Sequence, residues 1–186
     1  MHPTRTALAT VVLALVIVLS AAPPIRAGAQ RGAGDDSAVP SVVGFFEGEW
    51  ISLADGWGDA RACTSDDGRT ARCYRSEAEM DEAEGAARSS LRGAEARAAC
   101  SGPVRLYRLA NFGGSVLQLS AQNQFLNLAS YGFDNDTSSY RIGPCAARFY
   151  DVWPSGGLYP GPTSAWIASV SMVGGWDNRI SSVYIT

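Results

Sequence analysis

The chain has 186 residues, and its 15 basic residues, all arginine, stand against 18 aspartates and glutamates for a formal net charge of −3. Lysine is absent and the one histidine is His2. The lack of lysine excludes Schiff bases and phosphate-loop lysines. Once the expected leader that carries His2 is removed, Ser-His and Cys-His nucleophile pairs and His-ligated zinc are excluded too, which leaves only carboxylate, tyrosine or hydroxyl chemistry for an enzyme.

Residues 1–29 are expected to be a signal peptide. His2 and Arg5 lead into an apolar run at residues 7–19, and Ala27-Gly28-Ala29 fits signal peptidase. The run falls short of the roughly 20 residues that cross a bilayer. The expectation is a secreted, extracellular protein with no stable membrane span after cleavage. Counted from Gln30, 13 arginines face 18 acids, so no basic face for nucleic acid is expected. Residues 30–41 (QRGAGDDSAVPS) have almost nothing to bury and read as a flexible linker.

Residues 42–99 read as an accessory hairpin and helix segment. Phe45, Phe46, Trp50, Ile51, Leu53 and Trp57 supply apolar surface for packing onto something larger. The segments 60–64 and 70–75 flank Ser65-Asp66-Asp67-Gly68, and Asp-Gly is a hairpin turn signal. Ser76-Glu77-Ala78-Glu79 is a capping box, which predicts a helix running to about Ala99. Its acids Glu77, Glu79, Asp81, Glu82 and Glu84 gather near the start, where the helix dipole favours them. In an exported chain the four cysteines, Cys63, Cys73, Cys100 and Cys145, are read as disulfides rather than as a zinc site, since they lack short paired spacings. Four cysteines allow three pairings. Cys63 and Cys73 face each other across the predicted hairpin.

Residues 100–186 carry an internal repeat. Tyr107, Gly114, Asp134, Asn135, Ser138 and Ser139 recur 43 residues later as Tyr150, Gly157, Asp177, Asn178, Ser181 and Ser182. Six matches at one offset indicate a duplicated supersecondary unit. Residues 104–107, 116–119, 169–172 and 182–185 alternate at least in part and read as strands. Two units with four short strands apiece predict an all-β antiparallel sandwich built from Greek keys. Gly114 permits a sharply folded hairpin with positive φ over which Tyr107 and Phe112 pack.

Tyr107-x4-Phe112-x-Gly114, with Ser138 lying 31 residues after the tyrosine, resembles the Greek-key signature of βγ-crystallins. Asp134-Asn135-Asp136-Thr137-Ser138-Ser139 and Asp177-Asn178-Arg179-Ile180-Ser181-Ser182 resemble that superfamily's paired calcium motif. Within it, residues 106–114 and 131–140 are most similar to actinobacterial secreted proteins grouped with a Streptomyces metalloproteinase inhibitor. The resemblance covers residues 100–186 and implies a double Greek-key β-sandwich there. In the second unit Ser155 replaces the aromatic of Phe112, and Trp153-Pro154 alters the hairpin, which makes the two sites less equivalent.

The resemblance implies up to two calcium ions held between the loops. The ligands carried over are the carbonyl of Asp136, the Ser138 hydroxyl and the Asn135 side chain, then the carbonyl of Arg179, the Ser181 hydroxyl and the Asn178 side chain. Asp134 and Asp177 stand as ligands or braces, and the charge of Arg179 is expected to weaken one site. Calcium favours six to eight hard oxygens, a mixture both loops supply. With the fold expected, Cys100–Cys145 would tie the first strands of the two units and Cys63–Cys73 would close the hairpin. The function implied is that of a secreted, non-enzymatic, calcium-binding βγ-crystallin-like protein with a structural or stress-related role. The alternative is a secreted inhibitor of metalloproteases, with such a protease as its partner.

Overall fold

The computed structural model describes residues 40–90 and 103–186. The expected signal peptide, nearly all of the linker, the helix beyond Ser90 and Cys100 lie outside them. Strands β1 (Val43–Phe46) and β2 (Glu49–Ser52) form a hairpin over Glu47 and Gly48, whose φ angles of 49° and 90° suit a two-residue turn with both central residues left-handed.

Strands β3 (Ala62–Ser65) and β4 (Thr70–Tyr74) form the expected hairpin, with Gly68 at φ 77°. The Asp67 carboxylate accepts the N–H groups of Arg69 and Thr70, each at 2.8 Å. Burial raises the pKa of this carboxyl, but the N–H donors and the Thr70 hydroxyl outweigh it and hold the group below its ordinary range. Cys63 and Cys73 stand opposite each other in the register and are bonded, with Cα atoms 4.1 Å apart. The bridge closes a loop of 10 residues, which stabilises by about 3 kcal/mol in the chain-entropy account. Cys145 is disulfide-bonded; the expected partner, Cys100, lies outside the described residues.

Helix α1 (Glu77–Ser90) starts as the capping box predicts, with Ser76 Oγ accepting the Glu79 N–H at 3.1 Å. The Glu79 carboxylate reaches one residue further back, to the Arg75 N–H at 2.9 Å. The acids of the first turns also pair with the sheet. Glu77 accepts from Arg105 at 2.7 Å and from the Tyr107 hydroxyl at 2.6 Å, Asp81 pairs with Arg105, and Glu84 pairs with Arg72 at 2.8 Å.

The remaining strands are β5 (Val104–Leu109), β6 (Gly113–Leu119), β7 (Phe125–Asn127), β8 (Ser139–Ile142), β9 (Ala147–Tyr150), β10 (Ala168–Ser169) and β11 (Ser182–Ile185). They form one eight-stranded sheet in the order β10-β8-β5-β6-β3-β4-β1-β2 and one three-stranded sheet in the order β7-β11-β9. Within residues 103–186 the expectation of an antiparallel β domain is met, since every strand pairing there is antiparallel, but the sheet layout does not clearly show a double Greek key. The large sheet is mixed, because β3 runs parallel to β6 and β1 parallel to β4. Without β3, the β6 edge would present unpaired N–H and C=O groups; β3 covers it with four buried residues. The segment expected at residues 169–172 is a strand only at its first residue. Pro154, Pro160 and Pro162 supply no N–H to a ladder, and the second repeat accordingly has less regular strand than the first.

The two repeats exchange strands. β7 of the first repeat pairs with β11 of the second, and β10 of the second pairs with β8 of the first. Alternation along each strand then separates two cores. Cys63, Leu106 and Leu117 face the main core with Phe149, Ile180 and Val183, whereas Ala62, Tyr107 and Val116 pack on the opposite face beneath Met80 of α1. The loop at Gly114 behaves as expected, with φ 73° and the Tyr107 and Phe112 rings 5.5 Å apart in an edge contact.

Candidate functional site

The loops 134–139 and 177–182 meet across the axis of strand exchange. Each turns on an asparagine in the left-handed region, Asn135 at φ 54° and Asn178 at φ 53°, a conformation asparagine tolerates better than most residues. The backbones then bond reciprocally: Asn135 N–H donates to the Ile180 carbonyl and Asn178 N–H to the Thr137 carbonyl, both at 3.0 Å. Thr137 and Ile180 are themselves 43 residues apart. Both are fully buried, and the Thr137 hydroxyl makes no hydrogen bond. The isoleucine at the equivalent position shows that β-branched packing is what this position uses.

The side chains repeat the exchange. Ser138 Oγ lies 3.2 Å from Asn178 Oδ1, and Ser181 Oγ lies 3.5 Å from Asn135 Oδ1. Each serine is pinned by its own repeat, since Ser138 N–H donates to the Tyr107 carbonyl and Ser181 N–H to the Tyr150 carbonyl, both at 2.8 Å. Each asparagine comes from the other repeat. Four of the eight residues singled out for the metal thus form two cross-loop pairs, Ser138 with Asn178 and Ser181 with Asn135. Asp134 accepts from the Asn135 amide at 3.0 Å and acts as a brace; Asp177 is exposed at the equivalent position.

Calcium–oxygen distances are about 2.3–2.6 Å, so two oxygens on one ion lie within about 5 Å of each other. Both cross-loop pairs satisfy this. Among the described residues no group of three or more His, Cys, Asp or Glu gathers in one place. A site here is therefore one of hydroxyl, amide and carbonyl oxygens, which suits calcium and no softer metal. Beside the first pair opens a cleft of about 510 Å³ lined by Arg61, Arg108, Leu109, Ser115, Asp136 and Asn178.

Besides Asp134 and Asp177, two ion pairs flank the loops, and sequence reasoning named only the loop member of each. Arg108 pairs with Asp136 at 2.6 Å, donates to the Gly132 carbonyl at 2.9 Å and lies over the rings of Trp57 and Phe133 at 5.4 and 5.0 Å. Asp151 pairs with Arg179 at 2.8 Å and accepts the Gly157 N–H at 2.6 Å, and Arg179 lies 5.0 Å over the Trp176 ring. The positive charge expected to trouble the second loop is thus held by a carboxylate. The serine next to the ligand position braces the first hairpin: Ser139 donates to the Leu109 carbonyl at 2.6 Å and accepts the Phe112 N–H at 3.0 Å. Its equivalent Ser182 donates to the Pro154 carbonyl at 2.7 Å.

No family model matches the chain, and no curated protein matches it. Solved structures do match. A βγ-crystallin from Ciona intestinalis is similar at 25% identity, covering 46% of this chain and 100% of that one with a TM-score of 0.39. The N-terminal domain of protein S is similar at 21% identity over 46% of this chain and 96% of that one, TM-score 0.35. A βγ-crystallin domain from Flavobacterium johnsoniae is similar at 21% identity over 45% of this chain and 92% of that one, TM-score 0.35.

Proposed function

We propose that this is an exported, non-enzymatic protein that binds up to two calcium ions between its paired loops, with a structural or stress-related role outside the cell. The observation that carries the reading is the reciprocal exchange, in which each loop's asparagine oxygen faces the other loop's serine hydroxyl at 3.2 and 3.5 Å. Loops that served only as turns would satisfy their own backbones with these side chains. The side chains of Asn135, Ser138, Asn178 and Ser181, with the carbonyls of Asp136 and Arg179, would hold the ions. Bound calcium would then fasten one repeat to the other. No helix among the described residues is long and apolar enough to cross a membrane.

Extracellular modules bind calcium with Kd of about 10⁻⁴–10⁻³ M. Millimolar calcium then stabilises by about 0.4–1.4 kcal/mol per site through mass action, which raises Tm by several degrees. Equal Tm values in calcium and in chelator would refute the reading. A second reading, inhibition of a secreted metalloprotease, is favoured by one feature: Val152, Trp153 and Leu158 lie close in sequence and are all about half exposed, as a loop offered to a protease would be. It fails if micromolar protein leaves thermolysin-like proteases fully active.

A further inference from the structure

The four members of the two ion pairs that flank the loops obey the same offset as the loops, but with their signs exchanged. Arg108 stands 43 residues before Asp151, and Asp136 stands 43 residues before Arg179. In each repeat the two positions form an ion pair, at 2.6 Å in the first and 2.8 Å in the second. In the first repeat the carboxylate belongs to the loop and the guanidinium to β5. In the second the guanidinium belongs to the loop, and the carboxylate follows β9. Both loop-borne members occupy the third position of their motif, two residues before the serine of a cross-loop pair.

The partners away from the loops are the firmly held ones. Arg108 is fixed by the Gly132 carbonyl and by two aromatic rings, so it stays in place without Asp136. Asp151 is largely buried, accepts the Gly157 N–H and has the hairpin glycines Gly156 and Gly157 against it. Exposure separates the members only in the second pair, where Arg179 is 54% exposed against 13% for Asp151. In the first, Arg108 and Asp136 are equally open at 33% and 34%, and it is the extra partners of Arg108 that hold it. Release of the ion pair therefore frees a negative charge beside one cross-loop pair and a positive charge beside the other.

We infer that the two sites are electrically opposite: Asp136 is a carboxylate that transfers from Arg108 to an ion at the Ser138–Asn178 pair, and Asp151 is a positioning residue that holds Arg179 away from an ion at the Ser181–Asn135 pair. This rests on the calcium reading and adds to it an order of filling. The first pair fills at lower calcium because its mobile charge is attracted to the ion. The second fills later, and it fills at all because Asp151 keeps the guanidinium turned aside. Arg108 is a resident counter-cation, so its removal strengthens the first site. A unit charge and a divalent ion some 6 Å apart in a water-like dielectric interact by about 1.4 kcal/mol, which is tenfold in affinity.

The test is calorimetric titration of calcium into the full exported chain and its variants, each first shown to melt cooperatively in chelator. The wild type shows two binding steps. Asp136→Asn weakens the tighter step about tenfold and leaves the weaker one in place. Asp151→Asn, which retains an oxygen for the Gly157 N–H, weakens the weaker step by a similar factor, and Arg179→Gln strengthens it. The deciding variant is the double substitution. If Asp151 acts by restraining Arg179, Asp151→Asn has no effect once Arg179→Gln is present. A loss that persists in that background, or one that falls on the tighter step, overturns the inference. Two wild-type steps with unchanged variants overturn it while the calcium reading stands, and a wild type that binds no calcium overturns both.

Discussion

Gly132 and Gly175 stand 43 residues apart and both adopt positive φ, 61° and 80°, yet their surroundings differ completely. A Cβ on Gly132 would come within 2.3 Å of the Leu53 carbonyl oxygen, whereas one on Gly175 meets nothing within 4 Å. The first repeat leans on the segment before it. Trp57 Nε1 donates to the Tyr131 carbonyl at 2.7 Å, the Val42 N–H donates to the Ser130 carbonyl at 2.9 Å, and β3 lies along β6. The corresponding turn of the second repeat faces solvent. Duplication has kept the backbone path in both copies, while packing has made one of them structural and left the other free.

The largest expected effect breaks that comparison directly. Gly132→Ala combines a left-handed φ with a backbone clash and is expected to cost about 3 kcal/mol or more. Gly175→Ala meets only the left-handed penalty, about 1 kcal/mol. Denaturant titration of the two variants checks this, and equal losses would mean that the buttress contributes little to the first repeat.

A smaller effect sharpens it through the paired tyrosines. Tyr107 is fully buried beneath α1, while its equivalent Tyr150 is half-buried. Burial and the adjacent Glu77 carboxylate push the Tyr107 hydroxyl up to about 12, and burial does the same to Tyr131. An unfolded tyrosine releases its proton near pH 10. The native state therefore holds these protons more tightly, and the stability they confer is complete below about pH 10 and lost as pH rises through about 12. Equilibrium unfolding followed by fluorescence should show this alkaline loss, reduced in Tyr107→Phe; an unchanged profile in that variant would remove Tyr107 as a contributor.

Local elements were legible in the sequence because their determinants are local. Asp67-Gly68 marks its hairpin, Ser76 caps its helix, and Cys63 faces Cys73 once the register is set. The parallel pairing of β3 with β6 was not legible, since nothing in either strand names the edge it joins. The strand expected at residues 169–172 stops at Ser169 because its next backbone bonds go to a turn and a loop, the Val170 carbonyl accepting from the Asn111 N–H at 2.7 Å and the Met172 N–H donating to the Ser138 carbonyl at 3.0 Å. Alternation reports only a face to bury. The loops were found because identical residues recur at one offset. The exchanged charges were missed because a search for identity discards an arginine matched to an aspartate, although a fixed offset with opposite signs is itself a signal. Which serine meets which asparagine required the strand exchange, which only the three-dimensional arrangement supplies.

The central claim is that each ion is shared between repeats. Crystals of the protein grown with calcium or terbium, with anomalous scattering used to locate the metal, test it most directly. The account predicts two peaks, one touched by Ser138 and Asn178 and the other by Ser181 and Asn135, so that every site draws one side chain from each repeat. Metal bound by the serine and asparagine of a single loop, or no metal at either pair in millimolar calcium, would contradict it.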